Sequence, residues 1–563
     1  MLGKMEGGSF IENLPKIYGM YTGGFLVFVL LMAILEQMGV GADTIGILFV
    51  AFTILIYAGI GVLSRTMAVD AYYVAGRQVP AVFNGMATAA DWMSGASFVA
   101  MAGGIYFGGH GYLAFVVGWT GGYILVASLM APYLRKFGCY TVPDFIGTRY
   151  GGKLPRFFAV VVLAVASFTY VTAQINATGT IAARALQIPF ELGVWFGLAG
   201  ILLCSMLGGM RAVTWTQVAQ YIVLIIAYLV PVFWMSNKQG FGLIPQFAYG
   251  DAVMRVTELE ALHGLGTLDP VSGAKGGLKA LSVPFASAAD SAMASWKFVT
   301  LVACMMLGTA SLPHILMRYF TTPSVKAARQ SVAWSLFFIF LLYFTAPALA
   351  TFTKLQVLDP NLATGIIGKP IETVMALEWV QKWSNVNFLQ IIDANADGIL
   401  QLNEFFMRGD IVVLATPEIA GLPYVISGLV AAVDIAAAGA FVASLKLTSI
   451  LGAVAWAFDF ACSGLFFPIV LGIWWKRANR QGALAGMACG FIAGTWYLYM
   501  IRWGGMDPWI GIDHLRFGII GMPVSLVAMI VVSLMTPEPD AETQAMVDEI
   551  RVPSGETVLK ASH

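Results

Sequence analysis

The chain has 563 residues, 59% of them hydrophobic and only 11% charged, with a mean hydropathy of +0.79. That balance excludes a soluble globular domain and fits a chain that crosses a membrane many times. Lysine plus arginine equals aspartate plus glutamate at 31 each, so nothing points to nucleic acid, and the five cysteines have neither disulfide nor metal spacing.

A polar lead of mixed charge (Lys4, Glu6, Glu12, Lys16) precedes the first apolar run, Gly19 to Met38, which ends without a small-residue cleavage site. It reads as a retained span rather than a signal peptide. Apolar runs of about 20 residues fall near 20–39, 43–63, 82–104, 110–133, 156–184, 192–208, 213–236, 297–320, 331–353, 421–446, 448–475, 482–502 and 516–536, which predicts thirteen spans. Basic residues in short loops set orientation. Arg135, Lys136, Arg149 and Lys153 share one side by parity with Arg211, with Arg318, Lys326 and Arg329, and with Arg65 and Arg77. That side is expected to be the cytoplasm and to hold the N-terminus. The polar insertions 237–296 and 354–420 are expected outside.

The 82–104 run, VFNGMATAADWMSGASFVAMAGG, is the most informative of the spans. Asp91 sits near its middle, where a charge costs roughly 2.5–3.5 kcal/mol on insertion scales. Gly85, Gly95, Gly103, Gly104, Ser94 and Ser97 surround it. A helix so rich in glycine and serine breaks easily, and a broken helix offers backbone carbonyls to an ion. The expectation is two helical halves with non-helical backbone around Ala90–Met93. The alternative is a packing helix whose acid turns to a neighbour.

Within the second insertion, Asp393, Asn395, Asp397, Ile399 (through its carbonyl), Gln401 and Glu404 fall at the oxygen-ligand spacing of an EF-hand calcium loop, with Gly398 at the turn. A solvated acidic loop is the plainer reading. An isolated loop of this kind would be weak and structural, binding on the order of 10⁻⁴–10⁻³ M.

Five stretches resemble the sodium:solute symporter family, closest to its acetate/monocarboxylate branch: NGMATAADWMSGASF (84–98), LRKFGCYTVPDFIGTRY (134–150), LGGMRAVTWTQVAQY (207–221), GTASLPHILMRYF (308–320) and FPIVLGIWWKRANRQGALAGM (467–487). The resemblance covers nearly the whole chain and implies an all-α, polytopic fold with the five-plus-five inverted repeat of the leucine-transporter type. It divides the chain into a two-span extension (1–81), a first repeat (82–236), an insertion (237–296), the start of a second repeat (297–353), an insertion (354–420), a shortened remainder (421–475), two C-terminal spans (476–536) and a cytoplasmic tail (537–563). It implies sodium on the carbonyls of Ala90 and Met93, with Asp91 approaching the same ion, and a small organic anion beside the break against Ser94, Ser97, Tyr170 and Gln174. Tyr170 and Gln174 lie four apart and so share a helix face; hydrogen bonding between helices is their alternative role. The implied activity is sodium-coupled import of a monocarboxylate such as acetate, not enzyme catalysis. The implied place is the bacterial inner membrane, with the lipid bilayer as surroundings and room for a small membrane subunit that no residue pattern names.

The chain departs from that pattern after SGLVAA (427–432). Val433-Asp434-Ile435 stands where the family carries a pair of hydroxyls on core helix eight. Leu422 to Trp475 is too short for three spans of about 20 residues each. Thirteen full crossings would also put Lys476, Arg477 and Arg480 on the side opposite the other basic loops. A missing core span answers both points; a half-helix or re-entrant segment is the alternative. A transport-inactive deletion form, or a calcium-tethered binding module, is therefore the rival of the transporter. His314 and Arg318, four apart, are gating candidates or helix-end anchors. Asp459 is a buried acid without a visible partner, and Lys446 snorkels.

Overall fold

The computed structural model describes residues 11–195, 209–268, 271–274, 278–286, 291–362, 364–431, 449–554 and 557–559. Among these, ten helical segments are long and apolar enough to cross a membrane, from Leu14–Gln37 to Gly518–Met535. They match ten of the thirteen predicted spans. Of the other three, 82–104 is divided at its middle, and 192–208 and 421–446 fall largely outside the described residues. Asp434, Lys446 and the expected site of the hydroxyl pair lie outside them too.

Local chemistry explains where the helices start. Ser324, Ser449 and Asn479 each accept a backbone N–H from three residues on, the side-chain cap that replaces a missing helical partner. Thr141 caps Val142–Tyr150 in the same way, with Pro143 in the first turn. The core gathers around the divided helix, where the Trp92 ring lies 4.9 Å from Tyr123 and 5.5 Å from Phe458. Between helices in lipid this packing, rather than exclusion of water, supplies the attraction.

Two faces can be told apart. On the basic face, Arg149 donates to the carbonyls of Gly472 (2.8 Å), Trp475 and Ala478, and Arg480 lies against Gly152. Lys476, Arg477 and Arg480 therefore sit beside the 134–155 loop, not across the membrane from it. Thirteen full crossings would have separated them, so the number of full crossings between is even. Both described ends of the 432–448 stretch lie on the other face. Tyr424 donates its N–H to Glu36 at the far end of Leu14–Gln37 (2.6 Å), and Leu451 packs by Gly104 near the far end of the divided helix. From Tyr424 to Ser449 is too short for a descent and a return of about 20 residues each.

The two insertions join over that second face. Leu389–Ile391 pairs antiparallel with Phe405–Met407, and Lys279 of the first insertion exchanges two backbone hydrogen bonds with Met407. Phe285 receives the His110 N–H on its carbonyl and gives its own N–H to Glu260 (2.9 Å), which pairs with buried Lys354. A side chain at Gly103 would collide with the Gly409 carbonyl, so glycine there lets the cap touch the divided helix. The 393–404 loop sits inside this β-hairpin rather than between the two helices of an EF-hand.

Candidate functional site

The 82–104 span is two helices. Ala81–Trp92 ends with the Met93 N–H on the Ala89 carbonyl; Met93 turns away from helical geometry (φ −75°, ψ 52°). Helical bonding resumes with the Phe98 N–H on the Ser94 carbonyl, through a π-helical turn at Ala96–Ala100 into Met101–Gly108. The break thus falls at Met93–Ser94, at the edge of the window the sequence predicts. A second break faces it in sequence symmetry: Ala292–Ser311 stops, Leu312 is extended (ψ 117°), and Pro313–Phe320 begins.

Asp91 and Arg318, 227 residues apart, meet at the first break. Arg318 Nε donates to Asp91 Oδ2 at 3.0 Å, and Gln217 Nε2 donates to Asp91 Oδ1 at 2.9 Å. Arg318 spends its other nitrogens on Thr214 Oγ1 (3.2 Å) and Gln217 Oε1. The arginine side chain is 2% exposed and the aspartate 23%, so the pair is largely withdrawn from solvent. Among the described residues His314 does not pair with an acid. Its ring lies 4.7 Å from Tyr170, and its Nε2 is buried without a hydrogen-bond partner there. Gln174 accepts the Gly95 N–H on Oε1 at 2.7 Å, and its Nε2 is buried with no partner among the described residues. Ser97 shares a hydrogen bond with Tyr343 (3.0 Å), and Ser94 is half-buried at the break. The structure thus gathers Ala90, Asp91, Met93, Ser94, Ser97, Tyr170, Gln174, His314 and Arg318 around the two breaks.

The family profile of the sodium:solute symporters matches residues 72–378 and 418–490. The chain belongs to that family. An uncharacterized symporter of Cupriavidus necator is 37% identical, covering 94% of this chain and 97% of its own length. That alignment runs over 667 positions, more than this chain possesses, so the relative carries stretches with no counterpart here. A monocarboxylic acid transporter of Corynebacterium glutamicum is 26% identical over 92% of this chain and 95% of its own. A solved structure of a sodium-coupled sialic acid symporter, outward-open and substrate-bound, superposes with a TM-score of 0.55 at 13% identity, over 88% of this chain and 98% of that one. The fold is therefore the leucine-transporter-like one of a sodium-coupled symporter, a multi-pass membrane protein and a transporter rather than an enzyme.

Sequence reasoning missed the partners in this symporter. Gln217 and Thr214 stand within the quoted TWTQVAQY stretch, where a polar pair one turn into a span was the available signal. On the cap face, Arg184 pairs with Glu418 at 2.6 Å, and Trp383 donates to the same carboxylate at 2.8 Å. Asp459 is fully buried, packed against Gly518. Among the described residues no three His, Cys, Asp or Glu side chains converge as a metal-binding group. In the 393–404 loop the acids turn to the loop's own amides: Glu404 accepts from Ala394 and Gln401, Asp393 from Gly398, and Asp397 from Ile399. The Ile399 N–H and the Asn395 amide hold the Asp397 carboxyl below the usual carboxylate range.

Proposed function

We propose that this symporter carries a small organic anion, a monocarboxylate such as acetate, together with sodium by alternating access. The break at Met93–Ser94 beside Asp91 carries the reading. Sodium sits on the Ala90 and Met93 carbonyls with Asp91 alongside, since a hard cation takes oxygen ligands. The anion lies against Ser94, Ser97, Tyr170 and Gln174. Arg318 holds the basic end of the path shut through Asp91 and Gln217. Sodium binding favours the state that also binds solute, and each ion's differential affinity for the two states moves the equilibrium. The relative named as a monocarboxylic acid transporter supports the solute class. The basic face is cytoplasmic, with the N-terminus on it, in a bacterial inner membrane. The chain divides into the extension, repeats, insertions and tail set out above, and calcium in the 393–404 loop would staple the cap. Purified protein in sodium-loaded and sodium-free proteoliposomes tests the reading. An inward sodium gradient should drive labelled acetate uptake well above a choline gradient; equal uptake under both overturns it.

A further inference from the structure

We propose that His314 is a ligand of the transported carboxylate, acting with Gln174, and not a gating residue. The assignment rests on the reading of the chain as a carrier of small carboxylates. Among the buried nitrogens near the breaks that have no hydrogen-bond partner among the described residues, besides the indoles of Trp92 and Trp119, are His314 Nε2 and Gln174 Nε2. A buried donor left unpaired costs about 1–3 kcal/mol, so each such group needs an explanation. Tyr170 links His314 and Gln174. The His314 ring lies tilted against the Tyr170 ring at 4.7 Å, and Gln174 lies one turn further along the Tyr170 helix, on the same face. The orientation of Gln174 is not arbitrary. The Gly95 N–H can only donate, so the oxygen must face Gly95 and the NH₂ must face elsewhere.

The gate role has meanwhile been taken. Arg318, one turn from His314, already donates to Asp91, Thr214 and Gln217. Asp91 accepts from Arg318 and Gln217, which leaves His314 outside that network. His314 is instead the second residue of Pro313–Phe320, a helix that starts at the second break. The positive end of a helix dipole and an unpartnered imidazole Nε2, a donor in the tautomer protonated there, suit a carboxylate. Asp91 and Arg318 cancel one another, so a carboxylate entering between the breaks brings one uncompensated negative charge into a poorly screened place. Sodium on the neighbouring carbonyls supplies the opposite charge, and solute binding without sodium becomes unfavourable. A transporter that held its anion with a free arginine would lack that dependence.

The test compares the parent chain with His314→Ala and His314→Gln in proteoliposomes, reading KM and Vmax for labelled acetate and the sodium concentration for half-maximal rate. A second readout is the thermal shift of the detergent-solubilised protein on adding sodium alone, then sodium with acetate. His314→Ala should raise the acetate KM at least about tenfold, as loss of a hydrogen bond to a charged group does. It should abolish the acetate shift and keep the sodium shift. His314→Gln, which keeps an N–H near the same depth, should recover most of the affinity. A folded His314→Ala variant with the parent's acetate KM and acetate shift overturns the assignment alone. Absence of sodium-dependent uptake of any monocarboxylate by the parent chain overturns the underlying reading and the assignment with it.

Discussion

Two of the buried arginines, Arg318 toward the basic face and Arg184 toward the cap, are satisfied to different degrees. Arg318, toward the basic face, is 2% exposed and donates from all three nitrogens to Asp91, Thr214 and Gln217. Arg184, toward the cap, is almost as buried, with 8% of its side chain exposed, yet only one nitrogen is used, on Glu418. Among the described residues its Nε and Nη1 have no hydrogen-bond partner, and neither has the Ser427 hydroxyl beside them. Arg184, Trp383, Glu418, Tyr424 and Ser427 line one small cavity there. A buried cation with idle donors regains hydrogen bonds when water reaches it. Opening the cap end therefore returns hydrogen bonds to the protein, whereas opening the basic end only breaks them. The cap end is the less satisfied of the two.

The largest effect should follow from breaking the saturated pair. Arg318→Met leaves Asp91 without its cation, at about 3–5 kcal/mol, and leaves the Gln217 oxygen without its donor. Thermal melting should fall by many degrees and sodium-driven uptake should vanish. Equal melting temperatures for Arg318→Met and Arg184→Met would remove the contrast between the two ends.

Replacing each pair entirely sharpens the comparison. Arg184→Met with Glu418→Leu swaps an under-satisfied ion pair for packing, which is often neutral or stabilising, and leaves one neutral donor, the Trp383 N–H, without its acceptor. Its melting temperature should stay within a few degrees of the parent's. The matching replacement at the other end, Arg318→Met with Asp91→Leu, strands both the NH₂ and the oxygen of Gln217 and should be less stable by about 1–3 kcal/mol. If both double variants behave alike, satisfaction of the guanidinium does not distinguish the ends.

The sequence made one of these ends legible and hid the other. Asp91 stood out because a charge at mid-span is costly and its glycine and serine neighbours weaken the helix; the break fell within a residue of the expected window. Its partner was invisible as a partner, since Asp91 and Arg318 are 227 residues apart and sequence spacing reports only local faces. Arg184 and Glu418 were hidden twice, at a helix end and in an insertion, where polar residues are ordinary. The misfit of Lys476, Arg477 and Arg480 with thirteen crossings was legible, and the contacts of Arg149 with 472–478 show them on the basic face. The hairpin around the 393–404 loop was not, because each strand has only three residues and the third partner, Lys279, comes from the other insertion.

The smallest effect concerns the cap that carries Glu418. The 393–404 loop feeds Phe405–Met407 and then Val412–Ile419, the helix bearing Glu418. Asp397 is held below the usual carboxylate range first by the Ile399 N–H and then by Asn395. A depressed folded-state value means that the loop's contribution is intact above the ordinary carboxylate range and is lost as pH falls through the lower, folded-state value. Amide exchange at 397–401 should therefore stay slow from neutral pH down past about 4, after correction for the intrinsic rate, and quicken only below that. Asp397→Asn should remove this acid step and leave exchange around Asp91 unchanged, because Asp397 sits in the exposed first half of the loop and bonds only within it among the described residues. Adding millimolar calcium separates the two readings of the loop. Slower exchange confined to 393–404 marks a bound ion, and unchanged exchange marks a loop whose acids are already spent on its own amides. A calcium effect that reached Arg184 would couple the cap to the less satisfied end and break the separation drawn here between a saturated basic end and an independently poised cap.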